Sequence, residues 1–535
     1  MIDPPGDRAK TRGAKPRKAK AAVALPSGTP AAGRLGKRET EFPPPTLATG
    51  DSGGLTCINA ANEGAQDRAK SGAETDPAKK RRKERYANRR LLWRLSGDKA
   101  VQTCGRGVVD QGAGVTVNLL GDRAYTSGVV RCGKIWLDPV CSAKIRAERA
   151  DEIGPAVAEF IRSGGTAYMV TLTARHYRRH KLADLLDALT EAWKKLMSGA
   201  QWAGDPARGR EGERARMGVV GFIRSTEVTV GIRRNGWHPH LHVILLMGGV
   251  QQPRPKIPRK QDRPDGWVKP EWDPRPVDYF RVPDPSEDPA GLSDEERQVQ
   301  ANFVRMRERW ERTWTSWLEK HGFRPSRHGI QWDRIESVED ARNLGEYIAK
   351  TQEGRAVGHE VARGDMKDAR REGNLTPFQL LTRYRQIRDM TAQQMEGLEA
   401  IGRPVDKELA LIEKYWREYE EATKGRRAIE WSRDLRRALA LGEERTDEEI
   451  VGEEEHGEPV AHLTAPTWGT LCRLGLDYEA LAAAEAGGFV ALVAFLAKIN
   501  LTADHPDERQ AMVRAQYGRV VLPPGTWPVR RTGRG

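Results

Sequence analysis

Three histidines fall within five residues, His238, His240 and His242, at the head of the run Trp237 to Met247. On a β-strand the side chains alternate, so the three imidazoles share one face while Leu241 and Val243 turn into the core behind them. Two imidazoles at i and i+2 on a rigid strand can hold one divalent ion. A single histidine here would read as part of a satisfied polar face; three, followed by a continuous apolar run, point to a metal. Two imidazoles leave a coordination shell incomplete. Glu227, in the preceding apolar segment, is the carboxylate that a hairpin would bring back to them, although it reads equally well as an ordinary exposed strand carboxylate. A nitrogen and oxygen donor set with open positions suits Mg2+ or Mn2+ holding a phosphate. His238 is either a third ligand or a group supporting one.

A second candidate is the segment Gly345-Glu346-Tyr347-Ile348-Ala349-Lys350. On a helix Tyr347 and Lys350 lie on one face. A phenol with a reference pKa near 10 is a weak nucleophile at neutral pH, and a neighbouring ammonium together with a polarised phosphate would activate it. A third candidate is Cys104, Cys132 and Cys141, with Asp138 between the last two. Three thiolates and one carboxylate can close a tetrahedral structural Zn2+ site, and the alternative is three unrelated buried thiols. Five cysteines spread over 535 residues do not form a disulfide framework.

These residues need elements to hold them. The β-branched run Tyr168 to Thr173 predicts a strand, and Val219 to Val230 and His238 to Leu246 predict two more, joined by the turn residues Arg233 to Gly236. Earlier, Gly114 to Leu120 and Ser127 to Trp136 read as short strands. Helical spacing runs over Cys141 to Ile161 and over 181–197. Ten prolines make 251–290 an inserted surface loop. Beyond it the pattern predicts a helix over Ser293 to Glu319 with a Ser293/Glu296 capping box, a strand near Ile330 to Ile335, and a helix over Glu339 to Thr351. Thr376 to Gln394 and Pro404 to Thr423 read as helical, and the remainder is mostly helix with an acidic break at 443–456.

The formal charge is +14, and residues 1–90 hold 20 Lys/Arg against 10 Asp/Glu, so most of the excess sits in an N-terminal tail. Residues 1–85 read as disordered, suited either to nonspecific attraction to phosphates or simply to solubility. No stretch approaches the roughly 20 apolar residues of a bilayer span, and the best candidate, Phe489 to Leu496, reads as a buried helix segment. With no secretory signal pattern, the expected location is cytoplasmic.

Thr171-Leu172-Thr173, then His240-Leu241-His242, then Tyr347 with Lys350 follow the order of the three motifs of HUH endonucleases. Over roughly residues 100–500 the chain resembles single-tyrosine plasmid rolling-circle replication initiators of actinobacterial type. Further support comes from His176, from Gly373-Asn374-Leu375-Thr376-Pro377-Phe378, from Lys424 to Arg427 with Trp431-Ser432, and from the segment Cys132 to Ile145. The resemblance implies an α/β (α+β) architecture, an HUH-endonuclease domain with a central antiparallel sheet flanked by helices. That domain would cover 151–385, after a tail (1–85) and a Cys-containing segment (86–150), and before a mostly helical C-terminal region (386–535). It implies that the His pair binds a divalent metal and that Tyr347 attacks a phosphodiester at a plasmid origin. The products would be a 5′-phosphotyrosine and a free 3′-OH. The implied partners are plasmid origin DNA, single-stranded or supercoiled, with a host helicase and polymerase; no membrane is implied.

Two positions depart from the family pattern. The cysteine segment of relatives reads CPxC, and Asp138 replaces its first Cys. Some relatives carry a water-activating Glu four residues before the tyrosine; that position is Asn343, which leaves Glu346 as the carboxylate candidate for general base. Rival readings are a mobilisation relaxase, which keeps its tyrosine ahead of the His cluster, and a noncatalytic zinc-stabilised DNA-binding regulator.

Overall fold

The computed structural model describes residues 76–255, 257–341, 374–453 and 456–508. In chain order, helix α1 (Pro77–Leu95) leads through a short helix into strands β1 (Val115–Leu120) and β2 (Arg123–Ser127). Helix α2 (Pro139–Arg162), strand β3 (Thr166–Arg175) and helix α3 (Leu182–Leu196) follow. The hairpin β4 (Gly221–Gly231) and β5 (Gly236–Met247) comes next, with β6 (Gly249–Gln251) and β7 (Pro276–Tyr279) forming a small ribbon. Helix α4 (Asp294–Lys320) and β8 (Arg324–Ile335) precede helices α5 (Pro377–Arg388) and α6 (Val405–Thr423). Strand β9 (Ile429–Trp431), strand β10 (Glu458–Leu463) and helix α7 (Asp477–Ala497) complete the described chain.

The architecture is mixed α/β with antiparallel sheets. The principal sheet has the order β8-β3-β5-β4-β9, which puts the histidine strand β5 at its centre. Strands β3, β4 and β5 form where period-2 alternation and apolar runs predict them, because a central strand must be apolar on both faces over most of its length. The register sets Tyr168, Phe222, Trp332 and Leu245 on the face opposite the histidines. There the rings of Trp193 and Trp310, from α3 and α4, pack against Phe222 and Trp332. Helix α4 starts with the expected capping box, in which the Ser293 hydroxyl accepts from the Glu296 amide while Glu296 reaches back to the Ser293 amide. A buried bidentate ion pair, Arg309 with Glu213, ties α4 to the segment before β4.

Several expectations are corrected. The tail boundary at 85 falls inside α1, whose Asp76 side chain caps a helix that begins at Pro77. Not all of its basic residues are solvated: Arg82 pairs with Glu485, and Arg89 and Arg90 pair with the buried Asp477, while Lys79, Lys80, Arg81 and Lys83 are exposed. Charge composition records the cations but not the acids, some four hundred residues away, that receive them. Of Ser127 to Trp136, only Ser127 lies in a strand, because Gly128 and Gly133 take positive φ (+79° and +61°) and turn the chain. The Pro-rich insert is mostly irregular, yet it supplies β7 and buries Val282.

The division at 385 does not isolate a helical region either. Strand β9 adds to the edge of the principal sheet, and β10 pairs with β1 in a second sheet of order β10-β1-β2. By length and composition α7 could cross a bilayer, contrary to the sequence expectation. It is broken at Gly487 and Gly488, however, and Asp477 and Glu485 in its first half hold cations of α1. Within Phe489 to Leu496 only Leu492 and Leu496 are buried, so that uniformly apolar stretch is only partly interior.

Candidate functional site

Strand β5 lies between β3 and β4, with His242 opposite Thr171 on one side and Ser225 on the other, and His240 opposite Thr173 and Glu227. His238 faces Thr229. All these residues occupy one face, as paired positions in antiparallel strands must. Glu227 Oε2 lies 2.9 Å from His242 Nε2. The Glu227 carboxylate accepts from the Nε2 proton in this arrangement, and the Thr171 hydroxyl lies 3.2 Å from Nδ1 on the other side of the ring. His240 Nε2 and His238 Nδ1 are 3.2 Å apart, one ring donating to the other. The groups are thus joined in two pairs.

A fourth imidazole extends the row. His176, just past β3, stacks on His238 with ring centroids 4.0 Å apart; His238 and His240 are 3.9 Å apart, and His240 and His242 lie nearly parallel at 5.9 Å. Burial, reinforced by the neighbouring imidazoles, pushes His238 and His240 down to about 3. Both rings are therefore neutral at physiological pH and can ligate without first losing a proton. Neutral imidazoles beside an anionic carboxylate fit a divalent cation chemically.

The second constellation is gathered from distant segments. Cys104 ends a short helix, Cys132 sits in the loop after Val129, Asp138 is the N-cap of α2, and Cys141 lies in its first turn. Cys141 Sγ is 3.5 Å from Cys104 Sγ and 3.8 Å from Cys132 Sγ. One ligand atom from each of the four residues lies within 4.8 Å of every other, and all four are buried. Asp138 Oδ1 accepts from the amides of Val140 and Cys141, while Oδ2 is buried without a hydrogen-bond partner. An orphaned buried carboxylate oxygen beside three thiols is the donor arrangement that a metal satisfies. Burial raises the Asp138 carboxyl, and hydrogen bonds from Cys104 and Cys132 lower the Cys141 thiol well below its ordinary range. These four residues can hold a metal ion.

Tyr347, Lys350, Glu346 and Asn343 lie outside the described residues. The helix expected over Glu339 to Thr351 is described only at 338–341, where Ser337 and Asp340 exchange capping hydrogen bonds. Sequence reasoning quoted Thr171 and His176 as motif residues without giving them contacts. It overlooked the turn Tyr177 to His180, whose signal was the basic string Arg175 to Lys181 directly after the first motif.

With this geometry in view, similarity to known proteins becomes informative. A family model described as "Replication protein" matches residues 129–251, the stretch from the cysteine segment through β5 and β6. "Protein rep" of Streptomyces lividans is 40% identical over 386 residues, covering 67% of this chain and 76% of that protein. A "Neomycin resistance protein" of Streptomyces cyanogenus is 46% identical over 142 residues, 24% of this chain and 32% of that protein. No solved structure matches the chain. The chain belongs to the replication protein family, that of the plasmid Rep initiators.

Proposed function

We propose that this protein starts rolling-circle replication of a plasmid by nicking one strand at the origin, with Tyr347 as nucleophile and an HUH-type sheet as its platform. The observation that carries the proposal is the row of imidazoles on the central strand, with His238 and His240 held neutral and Glu227 hydrogen-bonded to His242, in a chain of the replication protein family. His240, His242 and Glu227 would hold Mg2+ or Mn2+, with His238 behind them. When bound, such an ion supplies Lewis-acid polarisation of a phosphodiester. Thr171, beside Nδ1, sets the tilt of His242 and would accept from Nδ1–H when Nε2 turns from Glu227 to the metal.

The Tyr347 phenolate oxygen attacks phosphorus, the P–O3′ bond breaks, and the 3′ oxygen takes up a proton. Protein stays on the 5′ phosphate, and the 3′-OH is left to prime synthesis. Lys350, three residues on in sequence, would favour the phenolate, and Glu346 is the carboxylate candidate for activating water at the end of the cycle. Cys104, Cys132, Asp138 and Cys141 would hold a structural Zn2+ that pins α2 to the segment before it.

The test uses a supercoiled plasmid carrying the cognate origin with Mg2+ or Mn2+. Relaxation should leave protein covalently on the 5′ end, and EDTA should abolish it. A Tyr347→Phe protein that nicks as fast as the parent would sink the assignment.

A further inference from the structure

The chain between β3 and α3 carries Arg175, Arg178, Arg179 and Lys181 and no acidic residue from Thr173 to Ala183. It is an ordered turn: the His180 amide donates to the Tyr177 carbonyl at 2.9 Å, and the Tyr177 amide donates to His180 Nδ1 at 3.2 Å. The His180 ring rests edge-on against Phe323, which anchors the turn to the body. At its crown, Arg178 and Arg179 are exposed, and Tyr177 is 37% exposed although it is a large apolar ring. Arg175 and Arg179 stand 5.5 and 5.9 Å from the Tyr177 centroid, the outer reach of a cation–π contact, so they are easily displaced. Arg324, opposite Arg175 on β8, extends the cationic surface.

Position gives this surface its meaning. His176, between Arg175 and Tyr177, is the ring stacked on His238, so the turn rises directly from the end of the imidazole row. The β4–β5 hairpin closes the other side. A Cβ at Gly236 would meet the Arg178 Cα at 2.8 Å, so glycine there lets the two loops touch.

We infer that this turn is a landing site for single-stranded DNA, with Tyr177 stacking a base and Arg175, Arg178, Arg179 and Lys181 holding the phosphates on either side. The inference rests on the nicking reading for the identity of the strand that enters. Single-stranded rather than duplex DNA follows from the chemistry, because a half-exposed aromatic ring can take a base only if that base's face is not already stacked inside a helix. Cations without an aromatic would serve either form.

The experiment measures anisotropy of a labelled, mixed-sequence single strand of roughly 15 nucleotides bound to the full chain without added Mg2+ or Mn2+, where no chemistry occurs. Tyr177→Ala should weaken binding about tenfold, with Tyr177→Phe close to the parent, and neither should change affinity for the matching blunt duplex. Arg178→Ala combined with Arg179→Ala should lower the slope of log affinity against log salt by about 1.4. Unchanged single-strand affinity in Tyr177→Ala overturns the inference, as does an equal loss on single strand and duplex. Tyr347→Phe should bind normally here, so a failure of the nicking reading shows in relaxation and leaves this measurement intact.

Discussion

Asp138 serves two purposes with its two oxygens. Oδ1 caps α2, and Oδ2 is buried among three thiols with no hydrogen-bond partner. Aspartate at this position therefore supplies an anionic donor and a helix cap at once. Asparagine caps a helix as well as aspartate does but brings no negative charge. Asp138→Asn should accordingly leave the Tm of metal-free protein nearly unchanged and weaken Zn2+ binding at least tenfold by chelator competition, about the loss that supporting groups alone can cause. Equal Zn2+ affinity in the two proteins would mean that the carboxylate is only a cap. In sequence Asp138 reads only as a ligand beside the cysteines, and its capping role comes from the structure. Which oxygen does which could come only from coordinates. The same holds for Glu227: hairpin counting puts it across from the histidines, and the structure adds that its hydrogen bond goes diagonally to His242 while its strand partner is His240.

At the level of elements, the hairpin that carries the histidines depends on Gly236. Its φ of +74° lies in the left-handed region, and a side chain there would meet the Arg178 backbone. Gly236→Ala should lower stability by about 1–3 kcal/mol in urea unfolding, combining the left-handed penalty with displacement of the neighbouring turn. A change under about 0.5 kcal/mol would show that the turn moves aside freely. Strands β3, β4 and β5 were legible in sequence because ten or more residues of alternating or unbroken apolar character leave a clear periodic trace. Strand β9 was not, because three residues cannot establish a period, and its identity comes from pairing with Ile223 to Ser225. The stretch 128–136 misled for the opposite reason, since its apolar residues are buried by loops that two positive-φ glycines bend over the core.

At the level of the whole described molecule, the first and last described elements are built into each other. Strand β10 completes the sheet begun by β1, and Asp477 of α7 receives Arg89 and Arg90 of α1, with Arg89 and Asp477 both fully buried. Removing one partner of such a pair leaves an uncompensated interior charge. Asp477→Ala should therefore cost about 3–5 kcal/mol in chemical denaturation, and a loss below about 1 kcal/mol would mean that water reaches Arg89. By itself the sequence determined what chemistry was on offer: imidazoles on one strand face, a carboxylate one hairpin away, and three thiols and an aspartate in order. Only the tertiary structure decided which of these meet, bringing Cys104 to Cys141, Arg89 to Asp477 and His176 to His238. Alternation and capping act over a few residues and leave a local trace, whereas contacts across tens or hundreds of residues are selected by burial and charge pairing, which no local pattern encodes.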